Sequence, residues 1–385
     1  MLSCKYARFS LPKKVTYLNC AYMSPLLKSV EKAGIRGVRL KRNPIDITPA
    51  DFFSTTQQLR EAFAKLINAP DPSRVAIIPS ASYGLSTVAH NVKLEKGDEV
   101  IVAAEQFPSN YYPWQALCTE SGAHLKVVSP GEGWEHRGKR WNEHFLEQIT
   151  PRTRVVAMAH VHWADGTLFD LEGIRKRTRE VGSLLIIDGT QSVGALPFDV
   201  RTIQPDALIC ASYKWLLGPY SLGLAWYGEW MDEGKPIEEN WINRKGSDNF
   251  SALVGYEPEY MPGAQRYNVG EQSNFILVPM ALKAIEQINR WGVGKIQEYC
   301  DRISENALNE LQQRGFHIEE RNFRAAHLFG LRHPAITDVE NLKQQLVRAN
   351  VHVSVRGTAI RVSPHVYNDE ADLDKLVRVL TRALK

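Results

Sequence analysis

The segment SLLIIDGTQSVGALPFDVRTIQPDALICASYKW, residues 183–215, contains two short apolar runs, at 184–187 and 207–211, and polar residues end each run. Short apolar runs bounded by turn residues are typical of strands buried on both faces of a parallel sheet. Asp188 follows the first run, and Lys214 lies shortly after the second. We therefore expect a carboxylate and an amine at the carboxyl ends of two strands, where open α/β sheets bind their ligands.

Each of these two residues also has a simpler explanation. Asp-Gly after a strand is a common turn, and a lysine after a strand is usually a solvated surface residue. The pair favours a functional interpretation, because each member follows its own buried run. Pyridoxal phosphate suits such a pair, since it needs a lysine for its Schiff base and an acid against its pyridine nitrogen.

Composition limits the classes of protein to be considered. The chain has 385 residues, of which 44% are hydrophobic and 23% charged, as in an ordinary globular protein of about two domains. A net charge of +4 is small for this length and predicts neither a nucleic-acid nor a membrane partner. The five cysteines form no Cys-x-x-Cys pair, the N-terminus has no apolar leader, and no long apolar run occurs. We therefore expect a cytoplasmic protein.

Strand-like runs alternate with helical patterns from residue 74 to residue 215, as a doubly wound parallel sheet requires. The predicted strands are 75–78, 99–103, 124–129, 154–159, 184–188 and 207–211, and the predicted helices between them are 85–92, 141–149 and 171–182. Before this region we predict helices at 26–40 and 55–67. After it we predict a strand at 224–227, a loop-rich segment at 229–263 and a helix at 275–291.

The remaining residues predict a small α+β domain. Its predicted helices are 295–313, 339–349 and 370–384, and its predicted strands are 317–320, 327–332, 352–355 and 359–363. The fold class is thus α/β, with a large, mainly parallel doubly wound domain that binds the cofactor and a small α+β C-terminal domain. We predict an N-terminal arm at 1–20 that packs with the small domain, a large domain at 21–275 and the small domain at 276–385.

Three further segments at predicted strand ends carry candidate site residues. The sequence PSASYG at 79–84 joins a strand to a helix, and the free N–H groups of a helix N-terminus bind phosphate, although Ser80 or Ser82 also suits a simple cap. Phe107 follows the strand at 99–103 and could lie against a cofactor ring or in the core. His160 and His162 have no third ligand at suitable spacing, so we predict no metal site.

Arg361 lies between apolar residues in a predicted strand. A buried guanidinium needs an anionic partner, which a substrate α-carboxylate would supply through two parallel hydrogen bonds. A salt bridge to an acid of the same chain is the alternative.

Four motifs together resemble the class V aminotransferases. They are DGTQ at 188–191, SYKW at 212–215, GEQS at 270–273 and IRVSPHVYN at 360–368. This family belongs to the fold-type I pyridoxal-phosphate enzymes and includes cysteine desulfurases, kynureninase and isopenicillin N epimerase. The resemblance covers nearly the whole chain with the motifs in family order. It is specific for cofactor and fold, but not for the reaction.

The resemblance implies a role for each matching residue. Lys214 forms the Schiff base with pyridoxal 5′-phosphate, Asp188 pairs with the pyridine nitrogen, and Gln191 bonds the ring hydroxyl. Phe107 stacks on the ring, Trp163 lines the cofactor, and Arg361 holds the substrate carboxylate. The residues implied to bind phosphate are Ala81, Ser82, Ser212 and Tyr213, together with Gly270, Glu271 and Ser273 of a neighbouring subunit. A homodimer with shared sites is therefore expected.

One departure from the family bears on the reaction. Desulfurases carry a nucleophilic cysteine on a loop shortly before the carboxylate-binding arginine, whereas here only Gly357 and Thr358 join Arg356 to the next strand. A persulfide-forming desulfurase of the usual kind is thus disfavoured. We expect an enzyme that acts on an amino acid, and a transferase is the first choice. The alternatives are a lyase of the kynureninase or selenocysteine/cysteine lyase type and an epimerase. The non-enzymatic alternative is an inactive scaffold of the same fold.

Overall fold

The computed structural model describes residues 2–384 and contains one large sheet and two smaller ones. The strands are β1 (Thr16–Tyr17), β2 (Val75–Ile78), β3 (Glu99–Ala103), β4 (His124–Val128), β5 (Thr153–Ala159), β6 (Leu184–Asp188), β7 (Ala207–Ala211), β8 (Gly223–Tyr227), β9 (His317–Ile318), β10 (Phe329–Arg332), β11 (Val351–His352), β12 (Ser354–Arg356) and β13 (Ala359–Val362).

Eleven α-helices accompany these strands in the described residues. They are α1 (Lys28–Leu40), α2 (Ser54–Leu66), α3 (Ala81–Asn91), α4 (Tyr112–Ser121), α5 (Arg137–Gln148), α6 (Leu171–Val181), α7 (Val200–Ile203), α8 (Leu277–Trp291), α9 (Val293–Gln313), α10 (Val339–Arg348) and α11 (Glu370–Ala383).

The central sheet has seven strands in the order β2-β8-β7-β6-β5-β3-β4. Neighbouring strands from β7 to β4 are parallel, and β8 runs antiparallel to both β7 and β2. Successive residues face opposite sides: Ile187 packs in the core formed with α2, α5, α6 and α8, whereas Ile186 packs in the core formed with α3 and α4. Both faces are covered, so the predicted doubly wound, mainly parallel sheet is confirmed.

Two predicted helix starts are wrong. Helix α3 begins at Ala81 instead of residue 85, and α5 begins at Arg137 instead of residue 141. The first turn of α3 consists of small and polar residues, so the helical periodicity of apolar residues begins only at Leu85. Gly84 in this turn lies so close to the sheet that a Cβ there would be 2.8 Å from the Ile78 side chain.

The C-terminal part contains a four-stranded antiparallel sheet in the order β12-β13-β10-β9. The single strand predicted at 352–355 is wrong. Residues 351–352 form β11, which pairs in parallel with β1 of the N-terminal arm, whereas residues 354–356 form β12, which pairs with β13. The chain changes partner at Val353 because two different sheets meet there.

Helix α8 packs against both parts of the molecule. Val278 and Ile285 belong to the core under the central sheet, whereas Ile288 and Trp291 belong to the C-terminal core. The domain boundary between residues 275 and 276 stays a prediction. No helix in residues 2–384 is long and apolar enough to cross a membrane.

Candidate functional site

A cavity of about 260 Å³ lies at the carboxyl ends of the central strands. Its walls come from the connections that follow β2, β3, β5, β6 and β7, and from the turn before β8. The lining residues are Pro79, Ser80, Ala81, Ser82, Gln106, Phe107, Ser109, Ala159, Trp163, Asp188, Thr190, Gln191, Ala211, Tyr213, Lys214, Tyr220, Ser221 and Leu222. Ligands of open α/β sheets bind at this edge.

Asp188 and Lys214 both line the cavity and are buried, with 8% and 6% of their surface exposed. Asp188 is the last residue of β6, and its carboxylate accepts a hydrogen bond from the Thr190 N–H at 3.0 Å. Lys214 follows β7, and its Nζ lies 5.3 Å from the Phe107 ring centroid and 5.5 Å from that of Tyr213. The predicted carboxylate and amine are thus brought together in one cavity.

Burial determines the protonation of this pair. Desolvation lowers the pKa of Lys214 to about 8, with Asp188 acting in the opposite direction and the cations Arg361 and Arg356 adding to the decrease. Burial likewise raises the pKa of Asp188 above its ordinary value. A minor fraction of Lys214, about a tenth at pH 7, is therefore the uncharged amine, which is the nucleophilic form, and this fraction rises steeply towards pH 8.

The N-terminus of α3 forms one end of the cavity. Ser80 is the cap residue, and its hydroxyl accepts the Tyr83 N–H at 3.1 Å and lies 2.9 Å from the Ser82 hydroxyl. The N–H groups of Ala81 and Ser82 are in the first turn, which has no preceding turn of helix to accept from them. Together with the positive end of the helix dipole, they are suited to bind a phosphate.

Gln191 is fixed by hydrogen bonds on both sides of its amide. Its Nε2 donates to the Ala21 carbonyl at 3.2 Å, and its Oε1 accepts from Trp215 Nε1 at 2.9 Å. The second N–H of the amide is left to donate into the cavity that Gln191 lines.

Phe107 and Trp163 form an aromatic wall. Their rings meet edge to face, with centroids 5.4 Å apart, and the Trp163 indole donates to the Glu105 carbonyl at 2.7 Å. Phe107 therefore lies at the cavity, not in the core, and both rings are held in place to pack against a planar ligand.

Arg361 does not line the cavity itself, but it contacts Trp163, which does. It is 1% exposed and donates to the Trp163 carbonyl at 2.9 Å and to the Ser354 hydroxyl at 3.3 Å, whereas its Nε has no partner in the described chain. None of its hydrogen bonds goes to a carboxylate. The alternative explanation for Arg361 was a salt bridge to an acid of the same chain, and within residues 2–384 it forms none. An unpaired buried guanidinium is costly, so the structure leaves it available to an anionic ligand.

Four of the predicted cofactor residues do not line the cavity. The Ser212 side chain is fully buried, and its hydroxyl donates to the Pro219 carbonyl at 2.5 Å. The N–H of Gly270 donates to the Glu238 carboxylate, and Glu271 and Ser273 line a second cavity beside Phe275. Within one chain Gly270, Glu271 and Ser273 do not line the cavity that contains Lys214, so their phosphate contact stays a prediction that would require a second subunit.

The structure adds residues that the sequence did not single out. Thr190, Gln106, Ser109 and Tyr220 line the cavity. The first three lie close to predicted site residues at strand ends, so their position in the sequence could have predicted that they line the cavity. Tyr220 is brought in by the turn before β8, and nothing in its sequence context predicts this.

The two histidines after β5 take part in packing and hydrogen bonding. His162 Nδ1 lies 3.0 Å from an Asp165 oxygen, and its Nε2 lies 3.1 Å from the Glu105 carbonyl. His160 packs edge to face on Phe198, and burial lowers its pKa to about 3. Among the described residues no three His, Cys, Asp or Glu side chains come together in a way that could hold a metal ion.

The chain is similar to known proteins over most of its length. It is 28% identical over 324 residues to the uncharacterized aminotransferase YcbU of Bacillus subtilis, which covers 83% of this chain and 81% of that protein. It is 25% identical over 342 residues to a probable cysteine desulfurase of Methanothermobacter thermautotrophicus, covering 84% of this chain and 82% of that protein. Among solved structures, a C-DES mutant with glycine covalently linked to its PLP cofactor superposes with a TM-score of 0.84 at 19% identity, covering 99% of both chains.

The structural similarity at this identity concerns the fold, and it agrees with the doubly wound sheet and C-terminal domain described above. Family membership rests on the sequence. The profile of the aminotransferase class-V family matches residues 48–378, which include both Asp188 and Lys214. The chain therefore belongs to the class V aminotransferase family.

Proposed function

We propose that this protein is a pyridoxal-phosphate-dependent enzyme that acts on an amino acid, most consistently as an aminotransferase. The cofactor is pyridoxal 5′-phosphate. The observation that carries the proposal is the buried pair Asp188 and Lys214 in a cavity whose far end is the N-terminus of α3. An amine, a carboxylate and an anion site are the three groups that this cofactor requires.

The cavity residues divide into groups that match the parts of the cofactor. Lys214 would hold it covalently, and Asp188 would pair with its ring nitrogen. Ala81 and Ser82 would bind its phosphate through the first turn of α3, and the free N–H of Gln191 would reach its ring hydroxyl. Phe107 and Trp163 would pack against the ring.

When bound, pyridoxal phosphate supplies an electron sink that stabilises a carbanion at the substrate Cα. Lys214 then has the position and the acidity to move the proton at Cα, because its pKa of about 8 is close to neutral pH. Arg361 would orient the substrate by binding its α-carboxylate from behind Trp163.

The thiols of the chain favour transamination over persulfide-forming lyase chemistry. Cys20 lies beside the segment that follows β13, since its N–H donates to the Ser363 carbonyl at 3.2 Å. Its thiol is fully buried, and burial raises its pKa to about 12, so it is not a reactive thiolate. The loop between Arg356 and Ala359 has only two residues and carries no cysteine. The lyase remains the second candidate because relatives such as the Methanothermobacter protein carry the name probable cysteine desulfurase.

The cofactor proposal is tested by the visible absorption spectrum of the purified protein, before and after borohydride reduction. We expect a yellow protein that bleaches on reduction, with the cofactor fixed to Lys214 in the peptide map. The variant K214A should lack the band, and K235A, which changes an exposed lysine, should retain it. A protein that stays colourless after addition of pyridoxal phosphate would leave the inactive scaffold as the better account.

The products then distinguish the reactions. A transferase converts the cofactor to its amine form and releases a 2-oxo acid, and a second 2-oxo acid restores the yellow form. A lyase releases part of the substrate side chain without needing a second oxo acid, and an epimerase changes only the chirality at Cα. Incubation with single amino acids, followed by chiral chromatography and oxo-acid assay, separates the three.

We also propose a homodimer in which the 270–273 turn of each subunit reaches the phosphate end of the other cavity. Apolar side chains remain exposed near this turn: Ile35 and Val38 on α1 have 43% and 59% of their surface exposed, and Ile276 before α8 has 38%. Analytical ultracentrifugation should give twice the mass of one chain, and the variant V38E should weaken the association. A monomer that binds the cofactor with full affinity would contradict this proposal.

A further inference from the structure

A second arginine lies beside Arg361 on the same face of the small sheet. In the antiparallel pair β12–β13, Arg361 is opposite Ser354, and Arg356 is two residues further along β12. Because side chains two residues apart on a strand share a face, Arg356 and Arg361 are diagonal neighbours, with a separation of about 7–8 Å expected for such pairs.

Both arginines contact Trp163, which lines the cavity. Arg361 donates to the Trp163 carbonyl, and the guanidinium carbon of Arg356 lies 5.6 Å from the Trp163 ring centroid. The short connection through Gly357, whose φ of +54° suits a tight turn, places Arg356 opposite Ala359 at the end of the β12–β13 hairpin.

Neither arginine has a carboxylate partner among the described residues. The hydrogen bond of Arg356 goes to the Val355 carbonyl at 2.9 Å. Two other arginines of the fold have a carboxylate partner: Arg137 and Arg332 both bind Asp165, at 3.1 and 2.8 Å. Two unpaired cations beside a third, Lys214, form a site that attracts anions.

The repulsion between these cations affects the pKa of Arg361. Burial lowers its pKa to about 10, and the charge of Arg356 contributes in the same direction. An anion bound between the two guanidinium groups would offset both costs.

The cofactor phosphate is a poor candidate for this anion. Its expected site is the N-terminus of α3, which follows β2, whereas Trp163 follows β5. In the sheet order β2-β8-β7-β6-β5 these strands are four positions apart, on the order of 19 Å at the usual strand spacing. The arginine pair contacts Trp163, which lies on the β5 side of the cavity.

We propose that Arg356 is a specificity-determining residue that binds a second carboxylate, so that the substrate is an amino acid with an acidic side chain. Arg361 takes the α-carboxylate, and Arg356 takes the carboxylate at the end of the side chain. This inference rests on the proposed function, because it names the substrate class of the same site.

The test uses two unreactive four-carbon probes, succinate with two carboxylates and butyrate with one. Binding to the cofactor-loaded protein is measured by isothermal titration calorimetry. We expect succinate to bind at least about tenfold more tightly than butyrate, since a charge-assisted pair is worth that much. R356Q should remove this preference and leave butyrate unchanged, and R356K should retain part of it. K343Q, which alters an exposed cation of the same part of the chain, should behave as the wild type.

Two outcomes would overturn the inference. The first is equal affinity of the wild type for succinate and butyrate, and the second is an R356Q variant that weakens both probes to the same extent. The absorption spectrum separates these from failure of the proposed function. A yellow protein without a succinate preference rejects only the role of Arg356, whereas a protein that takes up no cofactor rejects the proposed function and this inference with it.

Discussion

At the scale of single residues, the charge of Lys214 depends on its neighbours. Burial and the charge of Arg361 both contribute to lowering its pKa to about 8, so removal of that cation in R361Q should raise it. The amine attacks the cofactor in its neutral form, and the rate of covalent cofactor uptake by the apo-protein should rise with pH around 8 in the wild type. In R361Q the midpoint should move to higher pH. A stopped-flow pH series measures this, with K343Q as the control, and a midpoint that stays in place would refute it.

Asp188 should be more sensitive to substitution than any exposed acid. D188N removes the buried charge that we propose pairs with the ring nitrogen, and we expect kcat/KM to fall about 100-fold or more, from the loss of roughly 3 kcal/mol of interaction in the transition state. Because Asp188 raises the pKa of Lys214, D188N should also move the uptake profile to lower pH. Steady-state kinetics and the pH series measure both effects, with D248N as the matched control. Unchanged kinetics in D188N would exclude the assigned pairing.

Residue identity and order were enough to predict that Asp188, Lys214, Phe107 and Trp163 meet, because all of them follow strands of one parallel sheet. They were not enough for Tyr220 or for the position of Cys20. The cavity receives Tyr220 through a turn, and Cys20 lies beside the segment after β13 because Asn19 forms a parallel bridge to Ser363. Such contacts depend on tertiary packing, which no local pattern contains.

At the scale of secondary-structure elements, the first turn of α3 has two separable serines. Ser80 caps the helix, whereas Ser82 is expected to bind phosphate through its N–H and its hydroxyl. S80A should destabilise the apo-protein by about 1 kcal/mol and weaken cofactor binding. S82A should weaken cofactor binding alone, because it removes a hydroxyl donor to the phosphate but no acceptor of a helical N–H. Thermal denaturation of the apo-protein and fluorescence titration with pyridoxal phosphate distinguish the two. Equal loss of stability in both variants would contradict this division.

The elements that sequence patterns predicted well are those with continuous apolar periodicity, such as β6, β7 and α8. Errors occurred where a different interaction determines the boundary. Helix α3 starts at a cap, which is a single hydrogen bond from the Tyr83 N–H to Ser80, and not at the first apolar residue. The predicted strand at 352–355 is two strands in the structure, because residues 351–352 pair with β1 whereas residues 354–356 pair with β13. The local sequence predicts neither the hydrogen bond that caps α3 nor the strand with which residues 351–352 pair.

At the scale of the whole molecule, Asp165 joins the two parts of the chain. It follows β5, and its carboxylate binds His162, Arg137 and also Arg332 at the end of β10. Burial opposes its charge, but His162 and the two arginines outweigh burial and hold the pKa of Asp165 well below its usual range. The carboxylate thus stabilises the fold above its ordinary pKa near 4, and this stabilisation is lost as the pH falls through 4 towards the lower folded-state value.

We therefore expect D165N to lower the free energy of unfolding at pH 7 by about 3 kcal/mol, because it leaves buried cations without their partner. The difference from the wild type should shrink below pH 4. Urea denaturation at a series of pH values measures it, and D248N provides an exposed acid as the control. A difference that is independent of pH would show that the carboxylate charge is not responsible.

The pairing of β1 with β11 also has a consequence for folding during synthesis. Asn19 and Ser354 hydrogen-bond at 2.8 Å although 335 residues separate them. On the ribosome, at the usual 5–20 residues per second, the arm emerges on the order of half a minute before its partner strand exists. During that interval its unpaired backbone is open to chaperones or to aggregation. The arm can therefore complete its pairing only after β11 has been synthesised, long after the arm itself.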